Sequence, residues 1–479
     1  MLYAGFEMCI KEVTAVQEQN TYYLNQICSR NALYTQQTGR TKKCLTHTFG
    51  CQMNERDSEI LFGFLTQMGY EKTDSEADAD LILFNTCCIR EKAESKVLSQ
   101  LGELKKLKKK NPDMIIGVCG CMMQQKGMAD TVRISAPHVD LIFGTHNLHH
   151  LPEYIYNLYQ GKGKQIAILD KEEAVQEGLP TYREDPYRAL VNITYGCNNF
   201  CTYCIVPYVR GRERSRKQAD IVQEVKQMVA EGVVEITLLG QNVNSYGLDL
   251  QDGTSFAGLL RELNEIEGLR RIRYMTSHPK DLTEELVKTI AESSKVVDHF
   301  HLPVQSGSTR ILELMNRRYT KEDYLHRVEI IRKYMPNACI TTDIIVGFPG
   351  ETEEDFLETV DLVKQVRFDS AFTFIYSKRT GTPAARMEDP VTLDEKKDRL
   401  QRLNDVLSDI GRTINDKLQD TVVEVLVEGP SKTNADMLTG RTTSNKTVIF
   451  AGDPSLVGQM VKVHIIEAQT WVLKGSLAE

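Results

Sequence analysis

Cys197-Asn198-Asn199-Phe200-Cys201-Thr202-Tyr203-Cys204 decides how this chain is read. It follows Ala189–Tyr195, an apolar run with the character of a strand. Three thiolates this close in sequence can hold three irons of a four-iron cluster. The fourth iron then has no protein ligand, and an open metal position is what a substrate or cofactor needs. A zinc site would want a fourth Cys or His, and none occurs in the twenty residues after Cys204.

Working outward, five further strand candidates follow: Val234–Leu239, Arg271–Met275, Val297–Val304, Ile340–Val346 and Ser370–Tyr376. Helical stretches separate them, including Gln218–Ala230, Leu282–Glu292 and Glu353–Val366. Six βα units from about residue 183 to 412 predict an incomplete TIM-like barrel, with its site at the C-terminal ends of the strands. Loops at that end are polar and rich in glycine, which lets backbone approach a ligand closely. They make Gly240, Gln241, Asn242, Gln305, Ser306, Gly347, Pro349 and Gly350 candidates for cofactor binding. His278 lies in the loop Ser277-His278-Pro279 and reads equally as a turn cap.

Upstream, from Lys43 to Asn157, strand candidates Leu45–Phe49, Leu81–Phe84, Met114–Val118 and Leu141–Phe143 alternate with helical stretches such as Ser58–Met68 and Glu91–Lys109. This is a doubly wound α/β pattern with a parallel sheet. Cys51, Cys87 and Cys121 each follow one of its strands. The C-terminal ends of such strands converge on one crevice, so these distant thiols are expected to meet and hold a second cluster. Cys88 and Cys119 are rival ligands. Cys119 falls inside its strand, which favours Cys121, but spacing does not choose between Cys87 and Cys88. Cys9, Cys28, Cys44 and Cys339 read as ordinary thiols. Twelve cysteines in a large chain without a secretion signal point to metal binding or catalysis rather than disulfides.

Four regions result: an extension (1–40), the α/β region (41–159), the barrel (183–413) and a tail (416–479). The extension is polar and without clear period, so a frayed or weakly helical segment is expected. The tail has short alternating strands, Val422–Val427, Val448–Phe450 and Val461–Ile466, and predicts a small all-β barrel of a kind often used to hold RNA. Six Lys and Arg against eight Asp and Glu from Asp416 onward leave a structural cap as the alternative. The net charge of −8 excludes a generally basic nucleic-acid binder, so RNA contact needs local patches. One candidate is Lys105, Lys106, Lys108, Lys109 and Lys110, which also reads as a solvated helix face. The other is Arg210, Arg212, Arg214, Arg216 and Lys217, whose alternating arginines would lie on one side of an extended segment. No apolar run approaches the roughly 18 residues that span a bilayer, and the first ten residues lack a basic cluster. A cytoplasmic protein that does not enter the membrane is expected.

The Cys-x3-Cys-x2-Cys spacing, with Tyr203 before the last cysteine, resembles the radical S-adenosylmethionine superfamily. That resemblance implies that Cys197, Cys201 and Cys204 hold a [4Fe–4S] cluster whose open iron chelates the cofactor. Reductive cleavage then yields a 5′-deoxyadenosyl radical. Gly50-Cys51-Gln52-Met53-Asn54, Asn85-Thr86-Cys87 and Gly120-Cys121-Met122 are similar to the N-terminal domain of the methylthiotransferases, and the tail resembles a TRAM domain. The resemblance covers nearly everything from residue 41 onward and selects Cys87 over Cys88. Cys51–Glu59, Ile89–Glu94 and Tyr208–Arg216 look most like the branch that acts on prenylated adenosine in tRNA. It implies two [4Fe–4S] clusters and two molecules of S-adenosyl-L-methionine per turnover. One methylates sulfur carried at the first-domain cluster, and the other supplies the radical that removes hydrogen from C2 of the adenine beside the anticodon. An electron donor and a sulfur source are further implied partners. The long extension departs from the short N-terminus usual in the family. The alternatives are methylthiolation of threonylcarbamoyl-adenosine in tRNA, modification of a ribosomal protein, and an iron–sulfur RNA-binding protein without catalysis.

Overall fold

Strands that are apolar at nearly every position need cover on both faces, and a parallel sheet between helices provides it. The computed structural model describes residues 2–88, 91–171 and 173–478, with 2–16 and 91–93 described by backbone alone. Cys9 and the start of the Ile89–Glu94 stretch therefore lie outside the described side chains. Packing groups the chain into two units. One comprises Met1–Glu184, Tyr195–Asn198 and Ile205–Arg214; the other comprises Asp185–Thr194, Asn199–Cys204 and Ser215–Glu479.

In the first unit, β1 (Lys43–Thr48), β2 (Glu71–Lys72), β3 (Leu81–Thr86), β4 (Ile115–Gly120), β5 (Leu141–Phe143) and β6 (Gln165–Ala167) form a six-stranded sheet in the order β2-β1-β3-β4-β5-β6. Every pairing is parallel. The chain leaves β1 for β2 on one side and then returns to β3 on the other. The strand order therefore reverses between β1 and β3, and ligand crevices form at such a switch point. The helices are α1 (Leu2–Thr38), α2 (Gln52–Gln67), α3 (Glu91–Lys110), α4 (Met128–Ser135) and α5 (Leu151–Tyr159). β2 and β6 were not legible in the sequence: one is two residues long, and the other is a short edge strand with no buried residue.

The extension is not frayed over its described side chains. Ile27 of α1 is buried with the aliphatic residues of α2 and α5. Asn31 Nδ2 donates to Met68 O at 2.9 Å, and Asn20 Nδ2 to His149 O at 2.8 Å. The sequence hid this because α1 buries few apolar residues and anchors itself through side-chain amides.

The second unit holds β7 (Arg188–Asn192), β10 (Glu235–Leu239), β11 (Arg271–Tyr274), β12 (His299–His301), β13 (Cys339–Val346) and β14 (Ser370–Ile375); the two-residue strands β8 (Thr194–Tyr195) and β9 (Arg214–Ser215) each have one residue in either unit. Parallel sheets β11-β10-β7 and β12-β13-β14 are joined through a parallel bridge from Ile272 to Val296. This is the expected partial barrel of six principal strands, filled by Val191, Ile236, Leu238, Ile272, Phe300 and Ile340 among others. A 24-residue helix, Leu393–Asp416, opens with a capping box between Thr392 and Glu395 and leads into the tail.

There β15 (Val422–Pro430), β16 (Leu438–Thr442), β17 (Thr447–Ala451), β18 (Met460–Ala468) and β19 (Val472–Leu477) close a barrel in the order β15-β16-β17-β19-β18. β16 and β19 escaped the sequence reading because Leu438-Thr439-Gly440-Arg441-Thr442 and Val472-Leu473-Lys474-Gly475-Ser476-Leu477 lack clean apolar alternation. The small barrel docks at the N-terminal ends of the large barrel's strands. Arg271 donates to Arg441 O at 2.9 Å and Arg273 to Thr442 O at 2.8 Å, and both guanidiniums pair with buried Glu235. Arg188–Glu428 and Lys446–Asp369, each at 2.8 Å, extend the same contact. Among the described residues no helix is long and apolar enough to cross a membrane.

Candidate cluster and cofactor sites

The end of β1 and the start of α2 build the first site. Cys51 caps α2 with extended backbone, Cys87 is the first residue past β3, and Cys121 is the first past β4. These are neighbouring strands, and β1/β3 is the switch point. Gly50 has φ of +116°, and a Cβ placed there would stand 2.8 Å from Cys87 Sγ. Only glycine lets the turn before Cys51 come that close to Cys87. Asn54 lashes the two ends together: its Nδ2 donates to Phe49 O (2.8 Å) and Thr86 O (2.9 Å), and its backbone carbonyl accepts from Asn85 Nδ2 (2.8 Å).

Arg210 and Asp57, whose part the sequence did not disclose, complete this site. Arg210 is buried, with Nε 3.2 Å from Cys121 Sγ and Nη2 2.6 Å from Asn54 Oδ1 and 2.7 Å from Asp57 Oδ2. The available signal was Asn54 and Asp57 at i and i+3, two polar residues on the buried face of α2. A hydrogen bond from Cys88, helped by the nearby Arg210 charge, draws the Cys121 thiol down to about 7 against its burial. Cys88 itself is pushed up by that bond and by burial, and packs with Cys121, Ile205 and Val209. Cys119 lies inside β4, where burial pushes its thiol up, and burial takes Cys44 to about 12. Cys339 is raised by burial as well, and Cys28 is half-buried.

This geometry corrects the reading of the arginine run. Arg210 faces Asp57 and Cys121, and Arg216 is buried against Glu224 (2.6 Å) and Asn192 O (2.8 Å). Arg214 is half-buried and donates to Glu173 O. Arg212 alone of the four is exposed. Of the alternation that looked like one basic side, two members are spent on ion pairs within the protein and a third on a backbone carbonyl.

In the barrel unit, the loop Asn199–Cys204 is tied to the segment after residue 313. Thr202 N donates to Met315 O (3.0 Å), Thr202 Oγ1 to Leu314 O (2.9 Å), and Asn316 Nδ2 to Phe200 O (3.0 Å). Arg317 is buried between them. It donates to Cys201 Sγ (3.3 Å), Tyr319 Oη (2.9 Å) and Pro303 O (2.7 Å), and lies 3.4 Å from Tyr203 Oη. Phe200, inside the cysteine run, has φ of +48°, unusual for a bulky side chain. Thr276 (φ +66°) and Gln305 (φ +70°) carry the same left-handed backbone in the loops after β11 and β12. Such conformations collect at functional sites.

The candidate pocket loops divide by role. The Asn242 side chain is engaged on both sides, accepting from His278 N (2.9 Å) and donating to Asp281 (2.6 Å), so it braces the loops. Ser306 Oγ accepts from Ser308 N, and the Gln305 backbone bridges to Asp343 and Ile345. Gly347 N donates to Glu351 Oε1, while Pro349 and Gly350 complete that turn. Gly240 and Gln241 follow β10 directly. His278 Nδ1 caps a 3-10 turn, and burial pushes its imidazole far down, so it stays neutral. Sequence reasoning missed a set of buried polar atoms without a hydrogen-bond partner: the Asn192 and Asn244 side-chain amides, Tyr274 Oη, His278 Nε2 and Tyr376 Oη. Each lies at the C-terminal end of a barrel strand or in the loop that follows. Buried polar groups cost free energy unless paired, and a polar ligand would pair them.

Residues 43–144 match Uncharacterized protein family UPF0004, residues 191–363 the radical SAM superfamily, and residues 417–478 the TRAM domain. Over 455 residues the chain is 54% identical to the tRNA-2-methylthio-N(6)-dimethylallyladenosine synthase of Acetivibrio thermocellus, covering 95% of each protein. The chain belongs to this family. The synthases of Clostridium perfringens (56% over 433 residues) and Moorella thermoacetica (55% over 432) each share 90% of this chain and 97% of their own. The Acetivibrio match covers too much of this chain to stop at residue 40, so part of the extension has a counterpart there. Among solved structures, the radical S-adenosylmethionine methyltransferase TsrM from Kitasatospora setae shares the fold, with a TM-score of 0.52 at 15% identity over 69% of this chain and 70% of its own.

Proposed function

We propose that this enzyme transfers a methylthio group to C2 of N6-dimethylallyladenosine beside the anticodon of tRNA. It uses S-adenosylmethionine and two [4Fe–4S] clusters. The observation that supports the reading most is that Cys51, Cys87 and Cys121 each follow the C-terminal end of one of three adjacent parallel strands, β1, β3 and β4, in a chain that also carries Cys197, Cys201 and Cys204 after the first barrel strand. The donor set fits: three thiols per site suit a four-iron cluster with one open iron. The glycine turn at Gly50 leaves room beside Cys87, and the unpaired polar atoms at the barrel's strand ends suit a polar cofactor. When bound, the barrel cluster supplies the electron for cofactor cleavage. Cys197, Cys201 and Cys204 would hold it, with Arg317 fixing the Cys201 sulfur. Gly240, Gln241, Gln305, Ser306, Gly347, Pro349 and Gly350 would shape the cofactor's bed, which Asn242 braces. An external one-electron donor and a sulfur source complete the reaction, which we place in the cytoplasm with its tRNA.

RNA contact is assigned to exposed groups: Arg212, and on the small barrel Trp471 (61% exposed). Aromatic faces stack on bases, and cations hold phosphates. Trp471 is the chain's one tryptophan, so tRNA should quench its fluorescence, and salt should weaken that binding. The decisive experiment is mass spectrometry of tRNA nucleosides from a strain lacking the gene. The methylthio derivative should vanish, with N6-dimethylallyladenosine accumulating in its place. Loss of a methylthiolated threonylcarbamoyl-adenosine instead would move the enzyme to the other branch, and an unchanged nucleoside profile would overturn the assignment.

A further inference from the structure

In each cysteine set a buried guanidinium sits on a sulfur, and the two guanidiniums differ in what balances their charge. Arg210, on Cys121, forms an ion pair with Asp57 at 2.7 Å, and both side chains are almost fully buried. Arg317, on Cys201, donates only to neutral oxygens and sulfur: Tyr203, Tyr319 and the Pro303 carbonyl. Among the described residues no carboxylate stands within 4.0 Å of it. Its place is held tightly. Asn316 and Arg318 on either side have left-handed backbone (φ +57° and +60°), and Asn316 is bonded to the cysteine loop at Phe200 O.

A buried cation with no counter-charge stabilises added negative charge nearby, whereas an ion pair largely cancels at a distance beyond its own length. Hydrogen bonds to the sulfurs and local net charge are what set the potential of an iron–sulfur cluster. We propose that Arg317 and Arg210 are positioning residues that separate the reduction potentials of the two clusters. Arg317, unbalanced, makes the barrel cluster the preferred electron acceptor. Arg210, balanced by Asp57, leaves the first-domain cluster the harder of the two to reduce. This rests on the reading that the six cysteines hold the clusters. The step concerned is a one-electron transfer: a low-potential donor loses one electron, one cluster gains it, and neither arginine gives up a proton, since guanidinium stays protonated. The consequence is that the electron settles where cofactor cleavage needs it rather than at the sulfur-bearing site.

The test is a redox titration of the reconstituted full-length protein with titanium(III) citrate. The paramagnetic signal of each reduced cluster is followed, and iron is counted in every variant. Arg317→Met should lower the midpoint of the barrel cluster while iron stays complete, and Arg317→Lys should restore part of the shift. Asp57→Asn, which unbalances Arg210, should raise the midpoint of the first-domain cluster. An unchanged barrel midpoint in Arg317→Met with full iron would overturn the proposal, as would a lowered first-domain midpoint in Asp57→Asn. Should Arg317→Met lose iron, the Arg317→Lys and Asp57→Asn shifts decide by the same signs. Wild-type protein that holds only one cluster would instead overturn the ligand reading beneath it.

Discussion

The two cysteine sets reach their positions by opposite routes. Cys197, Cys201 and Cys204 lie within eight residues of chain, in the stretch after β8. Cys51, Cys87 and Cys121 are spread over seventy-one residues, and what can bring them together is that β1, β3 and β4 are adjacent and parallel. A local set needs little beyond a loop of the right shape. A dispersed set needs the whole sheet, so any fault in β1–β4 packing disperses its thiols. The first should therefore survive damage elsewhere better than the second, and the two should be separable by mutation.

The largest expected effect is at the local set. Replacing Cys197, Cys201 or Cys204 by Ala removes one of only three thiolates, so formation of 5′-deoxyadenosine from S-adenosylmethionine under reduction should fall to background. Cleavage at the normal rate in any of the three variants would break the comparison at its first term. Next comes the triple Ala variant at Cys51, Cys87 and Cys121. It should keep about half the iron, since each triad holds one cluster of the same type. It should still yield 5′-deoxyadenosine and should make no methylthio-adenosine. Circular dichroism must first show the sheet intact, because loss of a metal site can unfold a domain. Full iron, or continued thiolation of prenylated tRNA, would mean these cysteines are structural thiols.

The same contrast explains what could be read in advance. The barrel's cysteine run is a spacing, and spacing is visible in a sequence. The helices Gln218–Ala230 and Glu353–Val366 and the strand Leu141–Phe143 have the bounds their periodicity suggests. The dispersed set was legible only through a rule about strand ends, which depended on finding the strands. What escaped were partners fixed by tertiary packing. Arg210 lies in a run that looks solvent-facing, and nothing local says that Asp57 and Cys121, far back in the chain, will enclose it. Arg317 sits in Asn316-Arg317-Arg318, where two arginines look alike and only one is buried. Edge strands β2 and β6, and the glycine-bearing β16 and β19, carry too little apolar pattern to announce themselves.

A change remote from both sets sharpens the comparison by separating stability from ligation. Glu235 is buried at the N-terminal end of β10 and serves both Arg271 and Arg273, the residues that grip the small barrel. Glu235→Gln strands two buried guanidiniums, a loss on the order of 3–5 kcal/mol by analogy with other buried pairs. The melting temperature should drop while iron per chain stays unchanged. Iron lost in step with stability would show that even the local set depends on the barrel's far end. Deleting Asp416–Glu479 outright would expose this same cluster, so point substitutions on the small barrel are the cleaner probe of RNA binding.

The smallest expected effect lies inside the dispersed set, between adjacent cysteines. Cys87 is beside Gly50 at the switch point, whereas Cys88 bonds to Cys121 and packs against Ile205 and Val209. On the proposed ligand set, Cys88 is a donor that steadies the Cys121 thiolate. Cys88→Ala removes that hydrogen bond, so the Cys121 thiol should lose part of its downward shift from the ordinary value. Protons compete with iron for a thiolate, so cluster assembly in the variant should need a higher pH than in the wild type. Once assembled at pH 8 or so, above the reach of that competition, iron content and thiolation should be close to normal. Cys87→Ala should lose the first-domain iron at every pH. Iron titrated against the pH of reconstitution in the two variants reads both outcomes at once. If Cys88→Ala loses the iron at all pH values while Cys87→Ala keeps it, the ligand is Cys88, and the resemblance that selected Cys87 chose the wrong neighbour.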